Sequence, residues 1–118
     1  MAAVNITLEV AWADIGSVAG DVIAVGHYQD VYPTASEAAL DAAVSGAVPR
    51  DQRLLYGATA RGVLRGELGE INVFPRNDGD ESKHLALVGL GRPGTFGPAQ
   101  QAIAFRNLLW TAERLVRG

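Results

Sequence analysis

Residues 4 to 10, Val-Asn-Ile-Thr-Leu-Glu-Val, alternate apolar and polar with period two, which predicts a strand burying Val4, Ile6, Leu8 and Val10 on one face. Asp21-Val-Ile-Ala-Val-Gly26 is a short, nearly continuous apolar run, the pattern of a central strand covered on both sides. Thr34 followed by Glu37 has the spacing of a capping box, and the Ala- and Leu-rich stretch behind it runs to Gly46, a residue suited to a left-handed helix end. A helix over about 35–45 is expected. Residues 47 to 66 carry Arg50, Arg53, Arg61 and Arg65 across a weak apolar pattern broken by Gly57, Gly62 and Gly66, and no element is assigned there.

Glu70-Ile-Asn-Val-Phe74 alternates again, residues 77–83 read as a solvated turn, and His84-Leu-Ala-Leu-Val88 returns as a buried run, so two paired strands are expected. From Pro98 the positions Ala102, Phe105, Leu109, Ala112 and Val116 step by three and four to the C-terminus, predicting a long final helix. Laid out at about 100° per residue, that helix is expected to bury these five together with Ala104, Leu108 and Leu115. The opposite arc holds Arg106, Asn107, Glu113, Arg114 and Arg117, with Ile103 and Trp110 among them. Tryptophan flanked by arginines is the composition of an interface hot spot, so Ile103, Trp110, Arg106 and Arg114 are the candidate contact residues. Strands alternating with helices argue an α/β layered domain, a mixed sheet flanked by helices.

Composition narrows the reading. The 118 residues, taken as one domain over 1–118, are 48% hydrophobic and 19% charged, too apolar for a disordered chain, and contain no uncharged run long enough for a transmembrane helix. No basic segment precedes the first apolar stretch, so a secretory signal is not expected, and the lack of cysteine fits the cytoplasm. A net charge of −3 provides no global field for nucleic acid.

Candidate chemistry is sparse. His27 and His84 lie far apart with no cysteine, so no metal site is expected, and each histidine reads as a polar residue at a strand end. Ser17, Ser36, Ser45 and Ser82 lack the Gly-x-Ser-x-Gly elbow, and no nucleophile, base and orienting group stand together. The clearest motif is Gly89-Leu90-Gly91-Arg92-Pro93-Gly94, a literal G-x-G-x-x-G between a strand and a helix. Pro93 inside it, and the lack of a following strand with a ribose-binding acid, argue against a dinucleotide fold. A glycine loop ahead of a helix could still present backbone N–H groups to an anion, which makes Gly89, Gly91, Gly94, Thr95 and Phe96 a candidate ligand loop. Asp14, at the end of the first strand, is grouped with them, although capping a local turn is its commoner role.

Residues 14 to 117 resemble the N-terminal domain of the leucyl aminopeptidase family through Asp21-Val-Ile-Ala-Val-Gly26-His27-Tyr28, Ala39-Leu40-Asp41, Arg65-Gly66-Glu67-Leu68-Gly69-Glu70 and Leu87-Val88-Gly89-Leu90-Gly91. The resemblance implies a macro-domain-like three-layer fold and a non-catalytic accessory role in assembly, regulation or partner binding. The family's dimetal peptidase domain carries an Asn-Thr-Asp-Ala-Glu-Gly-Arg signature that no stretch here matches, so no activity, cofactor or metal is carried over. The partners it implies are proteins, either that missing domain or the subunits of an oligomer; such domains contribute to DNA binding in some members, but with a net charge of −3 neither nucleic acid nor a membrane is expected for this domain alone. The alternative is a degenerate macro domain binding ADP-ribose or a related nucleotide, with Asp14 and residues 89–97 resembling the aspartate and second phosphate loop of macro domains. The first loop departs from that pattern, because Asp30 and Glu37 stand where a diphosphate would lie.

Overall fold

The computed structural model describes residues 7, 9–11, 15, 20–46, 48–78 and 81–117. Along them run β1 (Val22–His27), α1 (Ala35–Ser45), a 3₁₀ turn (Arg50–Gln52), α2 (Leu54–Ala60), β2 (Ile71–Asp78), β3 (Glu81–Gly89) and α3 (Pro98–Arg117). The sheet order is β1-β3-β2, with β1 parallel to β3 and β2 antiparallel to it. Val22 pairs with His84 and His27 with Gly89 across the parallel pair, while Ile71 pairs with Val88 across the hairpin.

Period two sorts the strand residues between two helical layers. Ile23, Leu85 and Leu87 join Leu40 of α1 and Leu55 and Ala58 of α2 in one buried cluster, against which Val25, Val44 and Phe74 pack. The alternate residues Ala24, Gly26 and Val88 face Ala104 and Leu108 of α3. The Leu90 side chain occupies the space over Gly26, where a Cβ would lie 2.5 Å from its Cδ1. The result is a three-layer α/β arrangement, with β3 covered on both faces and Leu85 to Val88 all buried.

Four expectations are corrected. The polar stretch 77–83 is not a free turn, because β2 continues through Asp78 and β3 begins at Glu81, pairing Asn77 with Ser82 and Asp78 with Glu81. Residues 7 and 9–11 form no strand, and Val10, expected on a buried face, is 90% exposed. The remainder of the expected first strand lies outside the described residues. Thr34 stands at the N-cap of α1 but makes no side-chain cap bond, and Glu37, its expected partner in a capping box, turns to His27 instead.

The fourth correction concerns α3. Its sheet-facing stripe is Ile103, Ala104, Asn107, Leu108, Thr111 and Leu115, whereas Ala102, Phe105, Leu109 and Val116, expected in the core, are exposed. Asn107, expected on the solvated arc, donates from Nδ2 to the Gly69 carbonyl at 2.8 Å. Ala112 is half-buried between the two faces. The helix therefore has two apolar stripes, and the sheet takes the one with the smaller and more polar residues.

Candidate functional site

The carboxyl ends of the parallel strands are where an α/β sheet offers a crevice. There three loops tie together through backbone bonds. Leu90 N–H donates to the His27 carbonyl at 3.0 Å, Gln29 N–H to Gly91 at 2.9 Å, Gly91 N–H to Gly66 at 2.9 Å, and Gly89 N–H to Glu70 at 2.7 Å. Two glycines make this weave possible for different reasons. Gly66 has φ +78, and a Cβ on it would lie 2.7 Å from the Tyr28 carbonyl carbon. A Cβ on Gly89 would overlap the Glu67 carbonyl oxygen.

The candidate ligand loop belongs to this weave. The N–H groups of Gly89, Leu90 and Gly91 are used as above, Thr95 N–H and Oγ1–H both donate to the Arg92 carbonyl, and Gly97 N–H donates to Thr95. Gly91 and Gly94 have φ of +79 and +86, the conformation glycine adopts freely. Phe96 turns toward α3, where it lines an apolar groove of about 270 Å³ with Val25, Leu90, Phe105 and Leu108. The amides of Gly89, Leu90 and Gly91 thus bind neighbouring segments and those of Thr95 and Gly97 bind within the loop, and Asp14 lies outside the described residues. Among the described residues, no group of three or more His, Asp or Glu side chains gathers to hold a metal ion.

Sequence reasoning missed two polar clusters. His27, at the end of β1 and 1% exposed, donates from Nδ1 to Glu37 Oε1 at 2.5 Å, joining the sheet to the first turn of α1. Glu37 also borders a cavity of about 430 Å³ with Ile15, Val25, Tyr28, Val31 and Ser36. A carboxylate orienting a histidine is one half of a nucleophile-activating arrangement. Among the described residues the other half is not assembled, because His27 Nε2 is buried and no hydrogen-bond partner, hydroxyl or other, rests on it there. A buried glutamate at helical position three, ten residues after a strand-end histidine, was the available signal.

The second cluster is structural. Asp41 of α1, buried, accepts from Leu55 N–H at 2.8 Å and Tyr56 N–H at 3.0 Å, and from Ser45 Oγ at 3.1 Å, while Ser45 Oγ accepts from Leu54 N–H at 2.9 Å. One turn of α1 therefore supplies the N-terminal cap of α2, which has no cap of its own. Tyr56 stacks on Tyr32 at 4.6 Å between ring centroids, with Arg50 above the Tyr56 ring.

The remaining candidate residues lie on α3. Trp110 is 65% exposed with the Arg114 guanidinium over its ring, and Arg106 is exposed nearby. Ile103, grouped with Trp110 from the sequence, instead faces the domain interior beside Gly69. With Phe105 at 60%, Leu109 at 56% and Val116 at 61%, the outer face of this one helix exposes four large apolar side chains. Isolated exposed apolar residues are ordinary, but several gathered on one face mark a contact surface.

Comparison with known proteins bears on the whole fold. No curated protein and no solved structure matches the chain. A family model does match, over residues 24–115, and it describes the N-terminal domain of the cytosol aminopeptidase family. That match runs from Ala24, within β1, through α1, α2, β2 and β3 to Leu115 near the end of α3, and with it the chain belongs to the cytosol aminopeptidase family through that family's N-terminal domain.

Proposed function

We propose that the chain is a non-catalytic accessory domain, macro-like in architecture, that works in the cytoplasm by contacting protein, in assembly or regulation. The observation that carries this reading is the outer face of α3, where Phe105, Leu109, Trp110 and Val116 stand more than half exposed on a helix whose other face already covers the sheet. A helix with a second apolar stripe has more apolar surface than its own domain buries, and covering it by a partner recovers that hydrophobic free energy. Trp110 under Arg114 adds the residue types that dominate interface energetics.

The nucleotide reading receives less support, because five amides of the 89–97 loop already donate within the chain and Glu37 places a carboxylate beside the neighbouring cavity. The enzymatic reading finds no hydroxyl on His27 Nε2 among the described residues. A single set of assays separates the three. The purified chain should leave a leucyl amide uncleaved with zinc or manganese added, and calorimetry with ADP-ribose should show no saturable heat at micromolar concentrations. Metal-dependent cleavage, or micromolar ADP-ribose affinity lost on Asp14→Ala, would contradict the proposal.

A further inference from the structure

Resting on the reading of α3 as a contact surface, we infer that its outer face pairs with the same face of a second copy of this chain, the two helices running antiparallel. Ala102, Phe105, Leu109, Ala112 and Val116 are spaced 3, 4, 3 and 4 residues apart, a spacing that a two-helix seam shares with a helix lying on a sheet. The sheet contact in fact uses the neighbouring stripe, and the seam stays more than half exposed at Phe105, Leu109 and Val116, with Phe105 bordering the groove beside Val25 and Val116 a cleft beside Asp21 and His84. In heptad terms Ala102, Leu109 and Val116 take the a positions and Phe105 and Ala112 the d positions.

The residues beside the seam choose the partner and the direction. One flank carries Arg106 and Glu113, and the other carries Gln101, Leu108 and Leu115. A twofold axis between residues 110 and 111 sets Phe105 opposite Val116 and Leu109 opposite Ala112, each contact occurring twice. The same register brings Arg106 of one copy to Glu113 of the other on one flank, and half-buried Leu108 to half-buried Leu115 on the other. Opposite charges meet opposite charges, and leucine meets leucine. Glu113 also takes part in an interaction within its own chain, so the pairing is an additional contact for it. Parallel helices would instead place Leu108 against Glu113 and Gln101 against Arg106, burying apolar surface against charge. The surface is thus complementary to itself in one orientation, as a twofold interface requires.

The chain has no cysteine, so introduced thiols report the register directly. Sedimentation of the pure chain should show a concentration-dependent dimer. Under mild oxidation a mixture of Phe105→Cys and Val116→Cys should give a mixed disulfide dimer, with neither variant crosslinking efficiently alone. Arg106→Glu and Glu113→Arg should each weaken the dimer severalfold, and the double variant should restore it, all three keeping the circular dichroism spectrum of the unmodified chain. A Phe105→Cys chain that crosslinks to itself would overturn the antiparallel register. A strict monomer would overturn self-pairing. If such a monomer still crosslinked to another protein from position 109 in cells, the broader contact-surface reading would stand without it.

Discussion

Gly89→Ala is expected to abolish folding, giving an aggregated or fully unfolded chain by circular dichroism. The methyl group would occupy the space of the Glu67 carbonyl oxygen, with the Gly66 carbonyl carbon 2.9 Å away on the same side. Both obstacles are backbone and cannot swing aside. Relieving the overlap means separating the 66–70 loop from the end of β3, which breaks the bonds from Gly69 N–H to the Gly89 carbonyl at 3.0 Å and from Gly89 N–H to Glu70. The whole stability of a domain of this size is about 5–15 kcal/mol, and losing this junction takes most of it. Gly94→Ala is the control. Nothing lies within 4 Å of a Cβ there, so only the positive φ is penalised, at about 1–2 kcal/mol, and the protein should remain folded. A Gly89→Ala chain melting like the unmodified one would contradict this packing.

Asp41→Ala should destabilise the fold by about 3 kcal/mol, lowering the Tm by roughly 10 °C. The carboxylate accepts two N–H groups of α2 and the Ser45 hydroxyl, and Leu55, whose N–H is one of the two, is completely buried. Removing it leaves a helix start without acceptors in an apolar layer, where each stranded donor costs about 1–3 kcal/mol. Asp41→Asn should recover part of the loss, since its oxygen serves one N–H while its amide cannot serve the other. Ser45→Ala, which strands only the less buried Leu54 N–H, should cost about 1 kcal/mol. Equal melts for Asp41→Ala and the unmodified chain would show that α2 does not depend on this cap.

These two sites also show why some of the molecule could be read in the sequence and some could not. Residues 22–27, 35–45 and 84–88 were legible because their patterns are local: an apolar run, a helix closed by Gly46, and a second run buried on both faces. Helix α2 was not, because its start signal is Asp41, more than ten residues upstream on another helix, and no local rule connects the two. Gly89 was legible as a glycine but assigned to a phosphate-type loop, when the reason for it is a carbonyl twenty-two residues earlier in the chain. The period of α3 was correct and its orientation was not. Two apolar stripes compete there, and hydrophobicity alone selects Phe105, Leu109 and Val116. The stripe that turns inward instead carries Ile103 and Asn107, which meet Gly69, and Ala104, which is buried. Of the candidate contact residues, Trp110, Arg106 and Arg114 lie on the outer side of the helix, and Ile103 was drawn inward by Gly69.

The most direct test places a photo-crosslinking phenylalanine analogue at one position at a time in the chain expressed in cells. Three positions suffice: Leu109 on the outer face of α3, Ile103 on its sheet-facing side, and Thr95 in the glycine loop. If α3 is the contact surface, irradiation yields protein adducts from position 109 and none from positions 95 and 103. Adducts from position 95 with none from position 109 would contradict it, moving the working surface of this domain from the helix to the loop.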